Sequence, residues 1–312
     1  MASPVTIEND DLCLEVWPTL GGKVSSLIDK ADDYELLFNY PAELPDGPLY
    51  DVNYVKGWYA GWDECFPAVA PSRYAGHPYD GVPVPDHGEL WGIPTVAAPT
   101  KDGITVVWHG LRFAYRLTRK LSLDGPTVRA HYTLENLAPF DLRFVWAMHA
   151  LLATDAKRPV RLSLPGHRAL RLSHDGRGDE IQQSFEWSSP PPQLEAISRP
   201  GELPAGQAWK VYSDEPVAAP IVIDYPERPQ RRRLSIEFST DSDLRAYWGL
   251  WLNTGGWAGH SHLGVLPTTG RYDQLDRSIR DGSAGRVAAG GRSEWAVIWR
   301  VGPGSRAGSA SD

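Results

Sequence analysis

The residues best suited to chemistry crowd into one stretch, Tyr54 to Trp91, which reads YVKGWYAGWDECFPAVAPSRYAGHPYDGVPVPDHGELW. It brings Trp62, Asp63, Glu64, Arg73, His77, His87, Glu89 and Trp91 within a short span of chain. Flat indole faces cover the C–H side of a pyranose, and carboxylates and Arg bind its hydroxyls. Imidazoles carry protons near neutral pH. The stretch is too polar, aromatic and turn-rich to read as a strand, and long loops of this kind are often functional. Trp62 and Trp91 are the expected stacking platform. Asp63, Glu64, Glu89 and Arg73 are the expected hydroxyl ligands. A further imidazole, His149, lies in FVWAMHALL, where Arg143, Val145, Ala147 and His149 alternate with Phe144, Trp146 and Met148. His87, Glu89, His149 and His77 also form a possible metal set, since two His and a carboxylate make a minimal open transition-metal site. That alternative implies an isomerisation or elimination on an oxidised sugar.

The elements that must position these groups are strands. Apolar residues alternate with polar ones from Leu111 to Leu123, and again from Val128 to Leu134 beyond Asp124-Gly125, which predicts a β-hairpin. Trp295, Val297, Trp299 and Val301 share one face after the Gly290-Gly291 turn. Further strands are expected at Ile104–Trp108, Leu142–Leu152, Val160–Leu164, Pro220–Tyr225, Leu234–Phe238 and Leu244–Leu252. One short helix fits Tyr272–Arg280. No repeat with a period of about 20–50 residues is visible. The pattern predicts one all-β domain over 1–302, a large antiparallel β-sandwich, with a disordered Gly/Ser-rich tail over 303–312.

The bulk numbers narrow the function further. With 31 Lys+Arg against 39 Asp+Glu, the net charge of −8 argues against general nucleic-acid binding, which needs a basic face. No apolar run reaches the roughly 20 residues that span a bilayer, so no membrane partner is expected. MASPVTIENDDLCLEV lacks the pattern of a secretory signal. Two cysteines, Cys13 and Cys65, imply no disulfide framework; with the missing signal they point to a cytoplasmic protein, monomeric or homodimeric. Cys65 has no Cys–His pairing signal and reads as buried. Thirteen Trp, 30 Gly and 27 Pro against two Met favour β-structure and turns over helices. Walker A, GxGxxG, GxSxG, HExxH and paired CxxC motifs are all missing.

Several segments together resemble the galactose mutarotase-like (aldose 1-epimerase) superfamily. VWPTLGGKVSSL (Val16–Leu27) is similar to its opening hairpin, and GWDECFPAVAP (Gly61–Pro71) and DHGELWG (Asp86–Gly92) to its loops. FVWAMHALL (Phe144–Leu152) is similar to its second-His strand and VLPTTGRYD (Val265–Asp273) to a late strand. The resemblance covers nearly the whole chain. It implies a supersandwich with a sugar groove on a concave face, a small-molecule carbohydrate as partner, and no cofactor. It also implies acid–base opening of the sugar ring, with His149 as general acid and His87 on the ring side of the sugar.

One position departs from the family. Leu266 stands where the family has its catalytic Glu. Asp63, Glu64 or Glu89 is a possible replacement, and strand parity aligns His260 and His262 with Leu266, so either imidazole is another. The alternative is a sugar-binding protein that has lost turnover. Of Trp248, Trp251 and Trp257, one is expected in the groove. Arg271 and Asp273 read as an ion pair or as ligands. Arg231-Arg232-Arg233 reads as a solvated turn after Pro229, or as a phosphate site.

Overall fold

Two antiparallel sheets form the frame of the computed structural model, which describes residues 4–41, 49–101, 103–154, 157–176, 178, 180–217, 219–229, 232–241 and 243–304. The larger sheet has eleven strands among the described residues. Its central run pairs Lys23–Asp29, Trp62–Cys65, Ala147–Ala153, Ser261–Thr268, Tyr247–Thr254, Ala208–Ser213 and Ala169–Asp175 in that spatial order. The second sheet has eight strands, centred on Arg292–Pro303 between Arg232–Thr240 and Thr127–Asn136. The expected all-β sandwich is the observed architecture.

The hairpin forms where alternation and turn agree. Tyr115–Asp124 pairs with Thr127–Asn136, closing at Asp124 opposite Thr127. Leu111 and Phe113 precede the strand rather than opening it. The expected strand Leu142–Leu152 is two. Leu142–Phe144 pairs with Gly285–Val287, and Ala147–Ala153 enters the large sheet. The break at Val145 and Trp146 is held from outside, by Pro67 O on the Val145 amide and Thr269 Oγ1 on the Trp146 amide. The helix is Leu275–Asp281, ended by Gly282 at φ +78°, a conformation that favours glycine. Most of the expected tail, from residue 305, lies outside the described residues; Gly302 and Pro303 complete the last strand.

The core between the sheets contains a buried charge. Arg119, fully buried, projects from the second sheet between the rings of Trp62 and Trp108. Its Nη1 bonds Glu64 Oε1 at 2.8 Å. Glu64 also accepts from Tyr132 Oη and from Trp62 and Trp146 Nε1 at 2.8–2.9 Å. Burial pushes its carboxyl up, and Arg119 and these donors oppose that shift. Trp62 stacks on Trp299 at 5.6 Å, with an 8° angle between the rings. This corrects two expectations. The Tyr54–Trp91 stretch contains a central strand, Trp62–Cys65, and period two sends Trp62 and Glu64 inward, leaving Asp63 on the other face. Trp62 is therefore no stacking platform for a ligand, and Glu64 is no hydroxyl ligand.

The arginine run is also different from its expectation. Arg231 lies outside the described residues. Arg232 and Arg233 belong to a strand rather than a solvated turn, and pair with Asp29 and Asp224.

Candidate functional site

The outer face of the large sheet carries a cavity of about 480 Å³. Strand register determines which side chains look into it, because directly opposed residues share a face. Asp63 opposes His149, Leu151 opposes Gly264, Gly264 opposes Trp251, and Trp251 opposes Lys210. His149, Lys210 and Trp251 accordingly line the cavity, together with His174, Asp273 and Trp257. His174 reaches it through a register shift between Leu172 and His174, the kind of local bulge that re-aims a side chain. Asp86 and His87 enter from the loop, and Arg277 enters from the helix Leu275–Asp281.

The loop is built to hold His87 in place. His87 adopts φ +57°, a costly region for a residue with a Cβ. Its amide bonds Val69 O at 2.9 Å, and Glu89 N bonds Phe66 O at 2.7 Å. Gly88 follows at φ +75°, where a Cβ would lie 2.0 Å from Phe66 O. Asp86 Oδ1 contacts His87 Nδ1 at 2.8 Å, and Asp86 Oδ2 accepts the Tyr54 amide at 2.9 Å. Burial raises the Asp86 carboxyl pKa, but His87 and the two backbone amides outweigh it and hold it below its ordinary value.

Several expected ligands serve this scaffold instead of the cavity. Glu89 is fully buried and accepts from Tyr50 Oη, Tyr115 Oη and the Leu111 and Arg112 amides. All its oxygens are thus occupied, which also removes Glu89 from the metal set proposed with His87 and His149. Among the described residues no group of three or more His, Cys, Asp or Glu is placed to hold a metal ion. Trp91 is buried against the edge of Tyr54, and its Nε1 donates to Asp86 O at 2.7 Å. Arg73 is exposed and donates to Gly81 O. Asp63 lies on the correct face but is covered, bonded by Lys23 and by Tyr54 Oη. Leu266 is fully buried.

His262 shares the cavity-side face, as parity indicated, yet it is sealed beneath Phe38, with ring centroids 4.7 Å apart. Its Nδ1 has no partner among the described residues. Burial, with His260 nearby, pushes its pKa down to about 3. An unfolded His binds a proton below about pH 6.5, whereas this one refuses it until far lower. Stability therefore falls as pH drops below 6.5, by up to about 1.4 kcal/mol per pH unit for each such ring. His149 acts in the same sense, and His174, described next, in the opposite one. His262→Gln should thus flatten the loss of urea midpoint between pH 7 and pH 5 relative to wild type. Parallel curves for the two proteins would show that His262 protonates inside the fold.

The charged end of the cavity was not expected from the sequence. Asp273 Oδ2 meets His174 Nε2 at 2.7 Å, while Oδ1 accepts from Tyr212 Oη at 2.6 Å and lies 3.0 Å from Lys210 Nζ. Burial disfavours the ionised Asp273, but Lys210 and His174 prevail and hold it well below the usual carboxylate range. His174 Nδ1 lies 2.7 Å from Asp175 O, so both ring nitrogens face oxygen acceptors and the ring is an imidazolium. Burial opposes that charge, and Asp273 raises the pKa in spite of it. Arg271 does not pair with Asp273; it pairs with Asp281 at 2.6 Å. The only sequence signal for this cluster was the Arg271/Asp273 segment.

His149 sits at the other end, 6% exposed. Its ring is perpendicular to that of His87, with centroids 4.9 Å apart. Burial first, then the nearby His87 and Lys210, push its pKa well below that of an ordinary imidazole. At neutral pH it is an uncharged ring with one lone pair open to a donor. Trp251 and Trp257, set edge to face at 6.1 Å, form the aromatic wall.

No protein-family model matches this chain, and no curated protein sequence matches it. Solved structures do. A galactose mutarotase-like protein from Clostridium acetobutylicum matches with a TM-score of 0.72 at 12% identity, over 96% of this chain and 95% of its own. One from Lactobacillus casei gives 0.69 at 15%, over 96% and 100%. A galactose mutarotase related enzyme from Lactobacillus acidophilus gives 0.65 at 11%, over 96% and 97%. No helix here is long and apolar enough to cross a membrane among the described residues. Matched along almost its full length, this chain has the galactose mutarotase-like fold.

Proposed function

We propose that the protein is a carbohydrate epimerase of the aldose 1-epimerase type, interconverting the anomers of an unphosphorylated monosaccharide by acid–base ring opening. The observation that carries this reading is the pair of perpendicular imidazoles 4.9 Å apart in the cavity wall. The anomeric hydroxyl and the ring oxygen share one carbon, so the groups that take and give protons must converge on neighbouring atoms. His149, uncharged, takes the proton of the anomeric hydroxyl. The O–H electrons form the C1=O1 double bond, and the C1–O5 bond breaks. O5 takes its proton from His87, whose Nδ1 is held 2.8 Å from Asp86 Oδ1. The aldehyde turns about C1–C2 and recloses on its other face, and both protons return. The resemblance implies the opposite sense for His149; the uncharged ring is the form that can accept a proton.

Lys210 and the Asp273–His174 pair hold hydroxyls, and Trp251 or Trp257 covers the C–H face. Each cation facing the cavity has a carboxylate partner among the described residues: Lys210 and His174 on Asp273, and Arg277 on Glu180. Among the described residues none is left to neutralise a phosphate. A fold shared with proteins named for galactose mutarotase supports the same substrate class. The test is NMR magnetisation exchange between anomers across neutral aldoses and their 6-phosphates. At least one neutral aldose should exchange faster with protein, and its 6-phosphate should not. Line broadening without faster exchange, for every sugar, would instead make the protein a sugar binder, the reading that Leu266 favours.

A further inference from the structure

Tyr54 touches both proposed catalytic rings and the buried charge behind them. Its ring lies face to face on His87, with centroids 3.8 Å apart and 14° between planes. It meets His149 edge to face at 5.4 Å, and Trp91 closes on it at 5.0 Å. Its hydroxyl donates to Asp63 Oδ2 at 2.6 Å and lies 3.4 Å from His149 Nδ1. Lys23 bonds the same Asp63 oxygen and the carbonyl of Ala60. Tyr54, Asp63 and Lys23 are all buried, and none of the three lines the cavity.

This chain of bonds has a direction. Asp63 Oδ2 accepts from both Lys23 Nζ and Tyr54 Oη. The Tyr54 proton therefore belongs to Asp63, and the phenol oxygen turns its lone pairs toward His149. We infer that Tyr54 is a positioning residue that holds His149 in the Nδ1–H tautomer, leaving Nε2 as the proton acceptor. The inference rests on the proposed function for its catalytic meaning, but the tautomer itself is a property of the protein alone. A free imidazole side chain favours the other tautomer, with the proton on Nε2. A ring that must accept at Nε2 thus needs a partner at Nδ1, and orienting partners of this kind determine imidazole tautomers elsewhere.

Tyr54→Phe separates the hydroxyl from the ring, because the stack on His87 survives and only the oxygen is lost. Tyr115→Phe is the control. It removes another buried hydroxyl, bonded to Glu89 outside the cavity. Long-range ¹H–¹⁵N spectra of the full chain report the tautomer of His149, assigned by comparison with His149→Gln. The expected result is Nδ1–H in wild type and Tyr115→Phe, and Nε2–H in Tyr54→Phe. With an active sugar, kcat of Tyr54→Phe should fall roughly 100-fold, as for loss of a positioned base, with KM little changed. Wild type with Nε2–H, or a tautomer that ignores Tyr54→Phe, overturns the inference. If no sugar turns over in any variant, the epimerase reading fails while the tautomer result still decides the role of Tyr54.

Discussion

Asp273→Ala is expected to destabilise the fold by about 3–5 kcal/mol, the cost of removing one member of a buried charge cluster. The carboxylate faces Lys210, His174 and the Tyr212 hydroxyl at once, and Lys210 is only 4% exposed. Its loss strands an ammonium that has no other charge partner among the described residues. The penalty depends on charge more than on volume, so Asp273→Asn should recover only part of it. The amide still accepts one hydrogen bond but neutralises nothing. Asp273 also keeps His174 charged. That pair adds stability which is complete below the unfolded His value near 6.5 and is lost as pH rises through the folded one. Both variants should therefore lose more stability at acidic to neutral pH than in alkaline buffer, where the His174 contribution is gone and the Lys210 pairing remains. Urea unfolding at pH 6 and pH 9 measures this directly. A loss under about 1 kcal/mol at pH 6 would place the cluster in the range of surface ion pairs and sink the argument.

His149→Ala carries the largest expected effect on activity. Losing the proton acceptor should slow anomer exchange by roughly 10²–10⁴-fold, the range for general acid–base groups. The fold should tolerate the change, because the ring is buried without its charge and has one long hydrogen bond at 3.4 Å. Its removal also removes an acid-labile group, so the variant should resist pH 5 better than wild type relative to pH 7. The pH–rate profile of wild type offers a second check. A base pushed well below the ordinary imidazole value remains unprotonated as pH falls, so the acid limb of kcat should lie below about pH 6.5. Exchange by His149→Ala at wild-type rate would move the acceptor role to His87 or to solvent.

Much of the architecture is legible in the sequence. Alternation from Tyr115 to Leu134 and from Trp295 to Val301 specifies strands with one buried face, and Asp124-Gly125 specifies a turn. These are local rules that act between neighbours in the chain. His149 and His87 were also visible, because each lies in a segment whose pattern resembles a known one.

The sequence by itself determined that the protein is a β-sandwich, and its resemblance to a known family singled out His87 and His149. Only the tertiary structure decided which side each neighbour faces. In Trp62–Cys65 all four residues are buried, so no amphipathic pattern marks the side that looks inward. One step of parity then separates Asp63, beneath the site, from Glu64, which is bound to Arg119 in the core. Glu89 likewise reads as a ligand until four donors distant in sequence fill its oxygens. The opposite error hid Lys210 and His174, which lie far from Asp273 along the chain and carry no motif. Strand pairing and a register shift bring them together, and mutual neutralisation in a buried place holds them there. A carboxylate becomes ligand, anchor or base according to what surrounds it, and those surroundings come from distant parts of the chain.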